Sequence, residues 1–86
     1  MPYTIQYLEE VVRYHIPALD SSAKRLIQKT IEERLMHDPI RFGKPLQYSL
    51  KGHRRLRVGD YRIVYRIQGK VVLIIAIKHR REVYDA

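Results

Sequence analysis

The chain has no cysteine, which excludes a disulfide scaffold and any cysteine-based metal or redox site. Such a composition fits a reducing compartment. Long hydrophobic runs are missing as well. The longest apolar stretch, Val71 to Ile77, is far shorter than a bilayer span requires. Residues 1–8 lack the basic start and apolar run of a secretory signal, so a soluble, cytoplasmic protein is expected. No glycine-rich phosphate loop is present. The four histidines are scattered without metal-ligand spacing, and Ser21, Ser22 and Ser49 carry no nucleophile signature. Neither a metal nor another cofactor is expected. The few acids lie too far from the basic segments to suggest a paired-carboxylate site, and there are no repeats or low-complexity tracts.

What remains is small and strongly basic. With 86 residues the chain can form one compact core, so a single domain spanning residues 1–86 is expected. Lys and Arg number 17 against 9 acids, a net charge of +8. A surplus of that size points to nucleic acid, an anionic membrane surface or an acidic protein. Glu9, Glu10, Glu32 and Glu33 fall in the first half, and most of the positive surplus lies between Arg41 and Arg81. A membrane-surface protein would carry that charge on an amphipathic helix. Here it sits mostly in strand patterns, which favours nucleic acid or an acidic protein.

Along the chain, Tyr3 to Tyr7 alternates as an opening strand. Leu8, Val11, Val12 and Ile16 share one helical face, and Pro17 should end that helix near His15. Asp20 or Ser21 is a suitable N-cap for a second helix that keeps Ala23, Leu26, Ile27, Ile31 and Leu35 on one side. Asp38-Pro39 stops it. Arg41 to Gly52 is a connector, with an extended piece expected around Gln47 to Leu50. Three strands follow, at His53 to Val58, Asp60 to Ile67 and Lys70 to Lys78. Gln68-Gly69 marks a hairpin whose loop is two or three residues, and the choice decides which way the third strand faces. The continuously apolar Val71 to Ile77 should be central and covered on both faces. The expected class is α+β, a small antiparallel sheet of one N-terminal strand plus a three-strand C-terminal meander, packed against two N-terminal helices.

The segment Arg54 to Tyr65, RRLRVGDYRIVY, carries the main functional signal. A two-residue loop at Gly59-Asp60 places Val58 opposite Tyr61, Arg57 opposite Arg62 and Arg55 opposite Val64. Arg55, Arg57 and Arg62 then share one face, which His53 and Arg66 extend. Leu56, Val58, Tyr61, Ile63 and Tyr65 share the other. Directly opposed like charges destabilise a hairpin. A solvated sheet face is one explanation, although such faces usually mix signs. A phosphate clamp is the sharper one, since arginine offers a planar fork of donors that stays charged. A second cluster, Lys78-His79-Arg80-Arg81 with Tyr84 beyond, reads either as a fraying basic tail or as an extension of that clamp. His79 has an unperturbed pKa suited to proton transfer near neutrality.

The stretches GKPLQYSLKGHRRLRVGDYRIVYRI and IAIKHRREVYDA resemble the RelE/ParE superfamily of bacterial and archaeal toxins, and specifically its RelE-like branch. The helical segment PALDSSAKRLIQKTIEERL resembles the family's helical hairpin, so the likeness covers almost the whole chain. It implies a type II toxin–antitoxin toxin that cuts translated mRNA in the ribosomal A site by metal-independent 2′-hydroxyl attack. Its implied partners are a cognate RelB-like antitoxin, the ribosome with its 16S rRNA, and mRNA. By position it assigns Arg57, Arg62, Arg80 and Tyr84 to catalysis. Arg55, His53, Arg66, His79 and Arg81 are candidates for RNA binding. Some relatives carry lysine where Arg55 and Arg57 stand, and many carry glycine at Lys78. Two other readings of the same residues are a ParE-like inhibitor of DNA gyrase without nuclease activity and a non-catalytic RNA-binding module.

Overall fold

Two tight turns, each led by glycine, organise the sheet. The computed structural model describes residues 2–49 and 51–82. Strand β3, Arg54–Val58, turns through Gly59-Asp60 into β4, Tyr61–Gln68, which turns through Gly69-Lys70 into β5, Val71–His79. Gly59 and Gly69 have φ of 59° and 60°, the left-handed value required at the first position of a two-residue hairpin loop. The β3–β4 register pairs Val58 with Tyr61, Arg57 with Arg62 and Arg55 with Val64, as the alternation demanded. The second loop has two residues, because Gln68 pairs directly with Val71.

The sheet has five strands in the order β1-β5-β4-β3-β2, with β1 at Thr4–Tyr7 and β2 at Lys44–Pro45. The α+β class and the meander stand. The sheet is nevertheless mixed rather than antiparallel, because β1 joins β5 in parallel, Thr4 beside Val71 through Tyr7 beside Ile74. A parallel partner needs a long crossover, and the helices between β1 and β3 supply it. The extended piece of the connector is Lys44–Pro45, paired with β3, and not Gln47 to Leu50. Gln47 and Tyr48 instead form a turn in which Tyr48 has φ 65°.

One face of the sheet carries helices α1, Val11–His15, and α2, Ser21–Thr30, which runs on without a break through Ile31–Leu35. Asp20 caps α2, its Oδ1 accepting from Ala23 N at 2.7 Å. The helical phase differs from a strict 3.6-residue reading. In α1 and at the end of α2 the turns widen, with Ile16 N donating to Val11 O and Met36 N to Ile31 O, five residues apart. That widening buries Val11 and leaves Val12 exposed; Leu26, expected in the core, is also exposed. Asp38-Pro39 ends α2 and also begins a single turn, α3, Pro39–Phe42, with Asp38 as cap and proline in its first turn.

The core joins Val11, Leu19, Ala23, Ile27, Ile31 and Leu35 to Leu56, Val58, Ile63, Tyr65, Val72, Ile74 and Ile77. Strand β5 lies between two others, but it is not covered on both faces as its composition suggested. Val72, Ile74 and Ile77 are buried, whereas Leu73, Ile75 and Ala76 are half-exposed. A register shift opposite Val64 and Tyr65 leaves Ile75 unpaired, and this bulge returns Ile77 to the helix side. No helix described here is long and apolar enough to cross a membrane.

Candidate nucleic-acid interface

The open face of the meander gathers the basic residues into rows. The register places Arg57 of β3 beside Arg62 of β4, and Arg62 beside Lys78 of β5. Three cations therefore stand side by side across three strands. One pair step along β3, Arg55 lies between Val64 of β4 and Lys44 of β2. Without an anion, such rows are unfavourable through like-charge repulsion.

Two depressions flank the central row. One, of about 320 Å³, is lined by Arg57, Asp60, Tyr61, Arg62, Arg80 and Arg81. The other, of similar volume, is lined by Phe42, Lys44, Arg55, Leu56, Arg57 and Arg62. Arg57 and Arg62 line both, so they form the ridge between them. The segment after β5 is fastened to the hairpin tip. Arg80 N donates to Asp60 O at 2.7 Å, and Arg80 Nη1 lies 3.8 Å from Asp60 Oδ1. An exposed ion pair at that distance adds little stability. The backbone bond is what holds Arg80 beside Arg57 and Arg62.

The remaining sequence candidates lie apart from this centre. His79 Nδ1 accepts from Arg81 N at 3.2 Å, so the neutral ring carries its proton on Nε2 and its lone pair is engaged. Its ring meets Tyr61 edge-on, 5.2 Å between centroids, and it lines a smaller depression with Tyr14, His15 and Lys78. His53 and Arg66 line neither groove. His53 N donates to Ser49 Oγ at 3.1 Å. Burial first, then the charges of Arg66 and Lys51, push the His53 imidazole below its usual pKa. With its side-chain amide turned to present oxygen, Gln68 accepts from Arg66 Nη2 and Nε at 2.6 and 3.1 Å. Tyr84 lies outside the described residues. Among the described residues no three His, Asp or Glu side chains converge as a metal site.

Three neighbours of the ridge carried no sequence signal. In the sequence Asp60 is half of a turn, and Lys44 and Phe42 are parts of a connector. The short pairing of β2 with β3 brings the last two beside Arg55.

Residues 2–84 match the family described as the ParE toxin of type II toxin–antitoxin system, parDE. The chain is 33% identical to toxin RelG of Mycobacterium tuberculosis (strain ATCC 25618 / H37Rv), over 98% of each chain. It superposes with a TM-score of 0.84 and 30% identity on a chain of the toxin–antitoxin complex RelBE2 from Mycobacterium tuberculosis, covering 93% of this chain and 100% of that one. The archaeal RelE–RelB complex from Pyrococcus horikoshii OT3 shares the fold, with a TM-score of 0.76 at 24% identity over 96% and 100% of the two chains.

Proposed function

Because the chain belongs to the ParE toxin family of type II toxin–antitoxin systems and is a toxin of the RelE kind, we propose that it is a ribosome-dependent endoribonuclease cutting translated mRNA in the A site. The observation that carries this reading is the Arg57–Arg62 ridge, with Arg80 fastened next to it by Asp60. In the reaction a ribose 2′-oxygen bonds to the adjacent phosphorus and the bond to the 5′-oxygen breaks. The 2′-hydroxyl loses its proton, and the leaving 5′-oxygen gains one. Negative charge builds on the phosphoryl oxygens in between. Preorganised guanidinium groups are well suited to that charge, and they stay protonated while stabilising it. Arg55 and Arg81 would hold the flanking backbone, and Tyr84 would stack on a base. His79, with its lone pair already engaged by Arg81 N, is better suited to holding the Arg80–Arg81 corner than to accepting the 2′-hydroxyl proton.

The partner expected in the resting state is a RelB-like antitoxin, as in the complexes formed by the structural relatives. An acidic segment over the arginine ridge would relieve its self-repulsion and stabilise the fold by mass action. On the opposite side of the sheet, a groove lined by Tyr7, Ile16, Leu19, Ile27 and Ile31 together with Lys24, Gln28 and Glu32 offers a place for an amphipathic segment of the antitoxin.

The experiment is mapping of mRNA 5′ ends on programmed ribosomes, wild type beside the Arg57→Ala/Arg62→Ala variant. Cuts within A-site codons are expected, lost in the variant while its melting curve is retained. A wild type that halts translation with every message intact would overturn the reading. The family description as a ParE toxin favours inhibition of DNA gyrase as the second reading. A supercoiling assay on the same preparations tests it.

A further inference from the structure

Phe42 is the only phenylalanine in the chain, and its place in the groove beside the ridge is unusually well secured. It ends α3, a single helical turn that could not hold its own shape in water. Two strands and its own N-cap supply the side chains that fasten it. Arg54, on the core face of β3, turns its Nη2 to Ile40 O and Gly43 O, both at 2.7 Å, and so spans Phe42. Tyr65, fully buried in β4, donates its hydroxyl to Pro39 O at 2.6 Å. Asp38 Oδ1 accepts from Arg41 N at 3.2 Å. Gly43 packs so closely that a methyl group there would lie 1.7 Å from Tyr65 Oη.

This fastening holds an apolar ring that is 38% exposed, in a groove otherwise lined mainly by cations. Lys44, Arg55, Arg57 and Arg62 line the groove with it, and the guanidinium carbons of Arg34 and Arg41 each lie 5.6 Å from the ring centroid. Those last two contacts are near the outer limit for cation–π attraction and come from exposed side chains, so a flat ligand can displace them. An acidic protein segment would meet the cations without calling for an exposed π face among them. A chain that pairs flat π surfaces with a regularly spaced anion fits both features, and single-stranded RNA is such a chain.

We propose that Phe42 is a stacking platform for a nucleobase beside the scissile phosphate, with Lys44 and Arg55 receiving the backbone attached to it. The inference rests on the RNA-directed reading above and deepens it by placing a flanking nucleotide on the Phe42 side of the ridge. Arg57 and Arg62 would then hold the phosphate where the two grooves meet.

The test is fluorescence anisotropy at fixed low salt with the full chain. The probes are a single-stranded 2′-O-methyl RNA, which cannot be attacked, and an abasic backbone of the same length. Phe42→Ala and Phe42→Leu should each weaken binding of the intact strand about tenfold. Phe42→Trp should restore it, and the abasic strand should bind all four proteins alike. Melting curves check that each variant is folded; the leucine variant keeps apolar bulk without a π face. The proposal falls if Phe42→Leu binds the intact strand like the wild type, or if intact and abasic strands weaken together. It also falls if the substitutions loosen only the antitoxin complex, or if the wild type binds no single strand. Base-dependent loss in a protein that cuts no message would overturn the nuclease reading and leave Phe42 as a stacking platform on an uncut strand.

Discussion

Arg54 and Arg57 lie three residues apart on one strand, yet they do opposite work. Arg54 falls on the Leu56 face and points its donors at two backbone carbonyls. Its Nε is buried, with no hydrogen-bond partner among the described residues. Arg57 falls on the open face, exposed and directly opposite Arg62. One arginine ties the structure together, and the other strains it. Period-two alternation alone assigns the roles, which is why the composition of a run such as Arg54-Arg55-Leu56-Arg57 says less than its phase.

The contrast can be tested by removing each side in turn, and the largest effect should come from what Arg54 supports. Gly43→Ala must displace the buried Tyr65 ring and break its bond to Pro39 O, for a loss of about 3 kcal/mol in chemical denaturation. Arg54→Met keeps the apolar stem but leaves the Ile40 and Gly43 carbonyls without their donor. About 2 kcal/mol should be lost, which for a domain of this size lowers the melting temperature by roughly 8–16 °C. Arg57→Met should move stability the other way, by about 0.5 kcal/mol, because it removes a like-charge pair. It should nevertheless lower the cleavage rate on ribosomes by roughly 100-fold or more. Equal destabilisation by Arg54→Met and Arg57→Met would erase the distinction between the two faces.

The smallest effect concerns pH. The His53 pKa is depressed in the folded protein, first by burial and then by Arg66 and Lys51. Protonation therefore favours the unfolded chain. The stability linked to neutral His53 is fully present above the unfolded value near 6.5 and is lost as pH falls through the folded one. Melting temperatures from pH 7.5 to 5 should decline slightly more for the wild type than for His53→Gln. Arg66→Gln should lie between them. A wild-type slope no steeper than that of His53→Gln would remove the proposed linkage.

How much of this was legible depended on whether the signal was local. The β3–β4 register followed from alternation on either side of Gly59-Asp60, and with it the pairing of Arg57 and Arg62. The Asp20 cap and the second helix were equally readable. The parallel sense of β1 was not, since Thr4 to Tyr7 carries no mark of its distant partner. The exposure of Val12 followed from widened helical turns that a 3.6-residue period does not represent. Val71 to Ile77 looked doubly covered because Leu73, Ile75 and Ala76 on its half-buried side are apolar too, so hydropathy does not tell the two faces apart. For the candidate site, the ridge and its Arg80–Arg81 flank were legible and the Phe42–Lys44 flank was not. Lys44 and Phe42 reach it through two residues of β2, and the anchors of α3 are backbone carbonyls, to which no residue type points.

The parallel seam between β1 and β5 has a consequence for the order of assembly. Strand β1 is made early, but the strand it pairs with is not finished until His79 has been added. The same strand supplies Lys78 to the basic row and leads directly to Arg80. During synthesis, β1 and the helices must wait for the last strand of the sheet, and contacts of such long sequence separation close slowly. Completion of the fold and the arrival of Lys78 and Arg80 beside the Arg57–Arg62 ridge are therefore the same late event. A growing chain cannot set Lys78 and Arg80 beside Arg57 and Arg62 until β5 has been made.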